Sequence, residues 1–198
     1  TLIKSISGIR GTIGGKVGYN LTPIDAVKFA AAYGTWLKNN NPTVSKLKVV
    51  VGRDARISGP MVHNLVINTL IGLGIDIIDL GLSTTPTVEV AVPLENANGG
   101  IILTASHNPK QWNALKLLNE KGEFLNGIEG EKILVIAESD AFDFSDVDNL
   151  GEITANDAYM DIHIDEVLNL PLVDIEAVKA AKFKVVVDGV NSSGGIII

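Results

Sequence analysis

Cysteine is absent from all 198 residues. That excludes disulfides, a thiolate nucleophile and Cys-ligated zinc, and it suits a reducing cytoplasm. Histidine is scarce: His63, His107 and His163 stand far apart, so no His-rich metal spacing exists. No apolar run reaches membrane length, since the stretch 65–78 is broken by Asn68, Thr69, Gly72, Gly74 and Asp76. The opening Thr1-Leu2-Ile3-Lys4 lacks a signal-peptide pattern. An excess of base is missing too. Against 23 acids stand 16 bases, a net charge of −7, which argues against a general nucleic-acid binder. An apolar fraction of 46% speaks for a packed core and against a disordered tail. A soluble, cytoplasmic globular protein with neither a nucleic-acid nor a membrane partner is expected, and its oligomeric state is left open.

The charge is divided unevenly. Residues 1–116 hold 11 bases and 6 acids, a balance of +5, whereas residues 117–198 hold 5 and 17, a balance of −12. The length suits one large domain, or one complete domain and part of another.

Short β-type runs alternate with helical patterns, which predicts an α/β layered domain. Residues 2–6 read as a strand, followed by a glycine-rich loop through Asn20. Thr22, Pro23 and Asp25 form a helix start, and Ala26, Phe29, Ala30, Tyr33, Trp36 and Leu37 fall on one helical stripe. Residues 47–51 predict a strand, then a helix opens near Ser58 with Val62, Leu65, Val66, Thr69, Leu70 and Leu73 inside and Gly74 as its stop. Residues 75–80 predict a third strand, Thr85-Pro86 a short helix and residues 100–103 a fourth strand. Residues 115–119 should return antiparallel, because the connection is too short for a helical crossover. The sheet is therefore mixed, in a three-layer α/β/α domain. The acidic stretch 138–157 is the expected boundary, placing one domain at 1–150 and the incomplete start of a second, similar one at 151–198. In the latter, helices near 155–168 and 174–181 precede a strand at 183–187 and the Gly-rich turn after Asp188, which reads as structural.

In open α/β sheets, ligands gather beyond the carboxyl ends of the strands where the strand order reverses. Arg10, Arg53, Arg56, the run Ser83 to Thr85 and the run Ser106 to Asn108 fall in the loops expected there. Such a rim suits an anionic ligand. Gly8 to Lys16 is no nucleotide loop: Arg10 stands where the first glycine is needed and Val17 where a hydroxyl is needed. Ser106 and His107 make a poor hydrolase pair, because neighbours on an extended backbone point to opposite sides and no Gly-x-Ser-x-Gly surrounds the serine. From these residues alone Ser106 is an uncovered loop hydroxyl. Arg53 and Asp54 suggest an internal ion pair pinning their loop.

Three segments, Ser7-Gly8-Ile9-Arg10-Gly11, Gly52-Arg53-Asp54-Ala55-Arg56-Ile57-Ser58-Gly59 and Thr104-Ala105-Ser106-His107-Asn108-Pro109, closely resemble the α-D-phosphohexomutase superfamily of phosphoglucomutases, phosphomannomutases and phosphoglucosamine mutases. The resemblance continues into Val185 to Gly189 and implies an N-terminal portion of such an enzyme. It implies that Ser106 is phosphorylated and passes its phosphoryl group to a phosphosugar substrate through a bisphosphorylated intermediate. It implies Mg²⁺ on the phosphoserine oxygen, with the other ligands in an Asp-Gly-Asp-x-Asp-Arg loop that these residues do not contain. The family's sugar-recognition and phosphate-binding loops are not in this sequence either, so the 198 residues alone should not turn over. Arg10 and Lys116 match positions flanking the phosphoserine. Lysine is the better proton acceptor, because burial can lower its pKa while arginine stays charged. Lys116 is therefore expected to do acid/base work, Arg10 electrostatic stabilisation, and His107 to orient the phosphoryl group or merely shape the loop. Ala114 replaces a glycine common in the family, and Trp112 either covers the loop or joins the core. The alternative is a non-catalytic phosphosugar-binding domain that kept the serine loop.

Overall fold

The computed structural model describes residues 1–5 and 8–198. Ile6, the end of the first expected strand, and Ser7, the start of the first motif, lie outside the described residues. In chain order the elements are β1 (Leu2–Ser5), β2 (Gly8–Thr12), α1 (Pro23–Asn40), β3 (Lys48–Arg53), α2 (Gly59–Gly72), β4 (Asp76–Leu82) and α3 (Thr85–Leu94). Then come β5 (Gly99–Leu103), β6 (Trp112–Leu118), α4 (Gly127–Ser139), β7 (Ile153–Ala155), α5 (Tyr159–Leu168), α6 (Ile175–Ala181) and α7 (Gly194–Ile197).

Seven strands form one mixed sheet in the order β1-β2-β6-β5-β3-β4-β7. β5, β3, β4 and β7 are parallel, while β6, β2 and β1 continue antiparallel. Side-chain alternation along the central strands splits the core in two. Val49, Val51, Ile101, Leu103, Leu115 and Leu117 face α1, α2 and α4, whereas Val50, Ile102 and Leu118 face α3 and Tyr159 of α5. This is the expected three-layer α/β/α architecture. Among the described residues no helix is long and apolar enough to cross a membrane.

Helix α1 starts as its sequence predicts. The Thr22 side chain accepts from the Asp25 amide, the Asp25 carboxylate accepts the Thr22 amide at 3.1 Å, and Pro23 takes the first turn, where its missing N–H costs nothing. All six residues of the predicted stripe are buried. From that stripe the Tyr33 hydroxyl crosses to the sheet and donates to the carbonyls of Leu118 (2.7 Å) and Gly100 (3.2 Å).

Three expectations need correction. The supposed glycine-rich loop contains a full strand, β2, between β1 and β6. Its glycines serve close approach: a Cβ on Gly8 would lie 2.2 Å from the Leu115 carbonyl oxygen, and one on Gly11 would lie 2.7 Å from that of Thr1. Within the acidic stretch, β7 pairs in parallel with β4, so the sheet gains an edge beyond residue 150. Residues 183–187 form no strand. Their apolar pattern finds no ladder partner among the described residues, and Val186 is 98% exposed.

Candidate active site

The chain leaves β3 through α2 on one face and enters β5 from α3 on the other, so the strand order reverses between these neighbours, which pair from Val49↔Gly99 to Arg53↔Leu103. At such a switch point the loops after both strands diverge and open a crevice. The β3 loop carries Asp54 and Arg56, and the β5 loop carries Thr104 to Pro109.

Ser106 sits at the turn of the β5 loop with φ +54°, left-handed backbone that costs a non-glycine residue about 1–2 kcal/mol. Such a conformation persists only where its surroundings over-determine it. Here the Ser106 amide donates to Thr104 Oγ1 (3.1 Å), the Thr104 hydroxyl donates to Asp54 Oδ2 (2.6 Å), and the Asn108 amide donates to the Ala105 carbonyl (3.0 Å). From the loop after β3, the Arg56 guanidinium donates to the carbonyls of Ser106 (2.6 Å), Asn108 (2.9 Å), Pro109 (3.0 Å) and Trp112 (3.1 Å). The serine and His107 are left exposed at the crest. Because the backbone is left-handed here and not extended, the two side chains share a side. Ser106 Oγ and His107 Nδ1 lie 3.5 Å apart, contrary to the expectation of opposite directions.

Strands β2 and β6 wall the crevice. Arg10 stands opposite Ala114 in register, and Lys116 follows two residues along the same face of β6. Gly8 and Ala114 leave room, and with Arg10 and Lys116 they face residues 104–108 across a cavity of about 120 Å³. All four predicted site residues, Arg10, Ser106, His107 and Lys116, therefore line one cavity. Ser106 also borders a second cavity, of about 280 Å³, shared with Asp54, Ser83, Thr84, Thr85 and, from the far end of the chain, Asp188 and Ser192. Asp188 Oδ1 accepts the Val190 amide at 2.8 Å while the residue also lines this cavity.

Lys116 has two neighbours that spacing did not disclose. Its Nζ lies 5.5 Å from the centre of the Phe124 ring, and its charge acts on the Glu89 carboxyl of α3. Burial raises the pKa of Glu89 and the lysine opposes that shift. Glu89 escaped the sequence reading because it lies within a helix, away from every motif.

The arginines divide differently from expectation. The ion pair of the β3 loop is Arg56 with Asp54, Nε to Oδ2 at 3.1 Å, and not Arg53 with Asp54. The loop turns back on itself, so the Arg56 amide also meets Asp54 Oδ1 at 3.0 Å. Arg53 donates instead to the Asp54 carbonyl at 3.2 Å and helps to depress Asp79. Trp112 opens β6, half-buried, and gives its carbonyl to Arg56.

Mg²⁺ takes an octahedral oxygen shell. Among the described residues no group of three or more His, Asp or Glu side chains gathers to hold a metal. Ser106 can offer one oxygen, while the Asp54 carboxylate is already bonded to Arg56 and Thr104. These residues do not complete a Mg²⁺ shell by themselves.

The family model described as phosphoglucomutase/phosphomannomutase, α/β/α domain I, matches residues 2–143. The chain belongs to this family. A phosphoglucomutase/phosphomannomutase of Thermococcus kodakarensis is 36% identical over 191 residues, covering 94% of this chain and 40% of that protein. A phosphoglucosamine/phosphogalactosamine mutase of Sulfurisphaera tokodaii is 30% identical over 190 residues, covering 96% and 39%. This family member therefore spans about 40% of the length of those curated relatives. Among solved structures, parafusin, a phosphoglucomutase of Paramecium, superposes with a TM-score of 0.77 over 98% of this chain and 39% of its own. At 17% identity that likeness concerns the fold alone.

Proposed function

We propose that the whole protein interconverts the 1-phosphate and 6-phosphate of a hexose or hexosamine, with Ser106 as the carrier of the phosphoryl group. The convergence of Arg10, Ser106, His107 and Lys116 on one cavity at the switch point carries this reading. The Oγ–P bond of phosphorylated Ser106 breaks as a sugar hydroxyl oxygen bonds to phosphorus, Ser106 Oγ leaves as the alkoxide, and Lys116 accepts the hydroxyl proton. The bisphosphorylated sugar reorients. Its other phosphoryl group then returns to Ser106 Oγ, and Lys116 gives the proton to the sugar oxygen left behind. Arg10 neutralises charge on the moving group, and His107, beside Ser106 Oγ, orients it. The residues here suit a phosphoserine because a cation stands on the wall facing an exposed hydroxyl.

In the same reading Ser106 would offer one oxygen to a Mg²⁺ ion whose other ligands these residues do not supply, and the ion would add charge neutralisation at the phosphoryl group. In the full-length protein, Ser106→Ala should abolish interconversion and leave no phosphate on residue 106 by mass spectrometry after exposure to a sugar bisphosphate. Chelation should silence the wild type until Mg²⁺ is restored, and the 198 residues alone should give no turnover. Retained turnover in Ser106→Ala would overturn the mechanism. A full-length protein that binds phosphosugars without turnover would point to a binding domain.

A further inference from the structure

We propose that Arg56 is the positioning residue of the serine loop. It holds the backbone of residues 106–112 so that Ser106 keeps its left-handed conformation, and it serves phosphoryl transfer without touching the sugar phosphate. This rests on the reading of Ser106 as phosphoryl carrier.

A guanidinium has five N–H groups in a fixed fork. All five are spent inside the protein: Nε on Asp54 Oδ2, Nη1 on the carbonyls of Pro109 and Trp112, and Nη2 on those of Ser106 and Asn108. An arginine that grips phosphate needs a free pair of parallel donors, and Arg56 has none. Its side chain is only 11% exposed, so the charge is held among carbonyl oxygens and one carboxylate. The four carbonyls run from the serine itself to Trp112, the first residue of β6. The shortest bond, 2.6 Å, is made to the Ser106 carbonyl, beside the one backbone angle of the loop that is sterically costly.

Asp54 completes the clamp. Its Oδ1 takes the Arg56 amide, its Oδ2 takes both Arg56 Nε and the Thr104 hydroxyl, and Thr104 Oγ1 accepts the Ser106 amide. Both peptide groups of the serine are thus tied to the loop after β3, its carbonyl directly by Arg56 and its amide through Thr104, which is held by Asp54. Lysine could not replace Arg56, because one ammonium cannot reach carbonyls spread over residues 106–112.

The test uses the full-length enzyme and compares Arg56→Lys, Arg56→Ala and Arg10→Ala by steady-state kinetics and by the single-turnover rate of Ser106 dephosphorylation. Displacement of a reacting group by an ångström costs about 100-fold. Both Arg56 variants should therefore lose about 100-fold in kcat and in the single-turnover rate, with KM within about two-fold of wild type. Millimolar guanidinium should restore part of the kcat of Arg56→Ala and none of that of Arg10→Ala, and ammonium should restore neither. A raised KM at unchanged kcat would make Arg56 a ligand-binding residue and overturn the inference, as would unchanged kinetics. Should the Arg56 variants fail to fold, Thr104→Val removes the other strap with little change of shape. An approximately 10-fold fall in kcat at constant KM supports the clamp, and an unchanged kcat refutes it. Ser106→Ala separates the two readings. If it turns over, the functional reading fails. If it is dead while the Arg56 variants behave as wild type, only the positioning role falls.

Discussion

Gly8 offers a direct test of how strand β2 reaches its place beside β6. Its φ is +113°, and an added Cβ would lie 2.2 Å from the Leu115 carbonyl oxygen and 2.9 Å from Lys116 Cα. Gly14 also has a positive φ, +84°, yet nothing lies within 4 Å of its would-be Cβ. Alanine at either position therefore carries a backbone penalty of about 1–2 kcal/mol, and only Gly8→Ala adds a steric one. Carbon and carbonyl oxygen in a sheet settle about 3.3 Å apart, so β2 would have to move away from β6 by roughly 1 Å. That displacement stretches the adjoining ladder bonds, and losing two at about 1 kcal/mol each gives about 2 kcal/mol beyond the Gly14 variant. For a chain of this size the melting midpoint of Gly8→Ala should fall about 4–8 °C below that of Gly14→Ala, read by thermal unfolding followed by circular dichroism. The same shift carries Arg10 off the cavity wall, so full-length Gly8→Ala should also turn over slowly while Gly14→Ala does not. Equal melting of the two variants would refute the close-approach argument for this glycine.

Tyr33→Phe removes a buried donor from the carbonyls of Leu118 and Gly100 and should cost about 2 kcal/mol, or about 4–8 °C in the melting midpoint. Because burial drives the Tyr33 hydroxyl far above the ordinary phenol range, ultraviolet titration should show no phenolate from it before unfolding, and an early phenolate signal assigned by the Phe variant would contradict that. Asp79 gives a pH signature: burial alone would raise its pKa, but the 2.8 Å contact with His63, the Gly81 amide and the charges of His63 and Arg53 hold it below the usual carboxylate range. An acid depressed in the folded state stabilises the fold above its unfolded pKa and loses that contribution as pH falls through its folded value. Thermal stability of the wild type should therefore decline on acidification through and below the carboxylate range more steeply than that of Asp79→Asn, and parallel profiles would count against the pairing.

Where a side chain pattern alone decides an element, the sequence was readable. The stripe of α1, its Thr22-Pro23 start and the antiparallel return of β6 follow from spacing, capping and loop length, all of them local. The convergence of Arg10, Ser106, His107 and Lys116 was likewise accessible, the serine loop through the rule that strand carboxyl ends gather ligands and Lys116 through the family resemblance alone, since the structure places Arg10 and Lys116 within strands. What stayed hidden depends on a partner. A strand as rich in glycine as Gly8–Thr12 resembles a loop until the backbone that crowds it is known. The three residues of β7 are all exposed and show no alternation, so only the free edge of β4 marks them as a strand. The apolar run 183–187 shows the reverse, strand chemistry with no ladder to join.

Arg53 and Arg56 make the point at the site itself. Both are arginines near one aspartate at a ligand-facing rim, and charge alone assigns them equally to an anion. Which of them binds Asp54 is set by a turn that folds Arg56 back over its neighbour. What remains of its fork then meets a row of carbonyls that sequence distance places about 50 residues away. A positive rim is thus partly an internal scaffold. Of the three arginines assigned to it, Arg10 alone lines the cavity beside Ser106. The positive balance of the first 116 residues consequently overstates the charge offered to an anionic ligand, since part of it is consumed in holding the Ser106 loop.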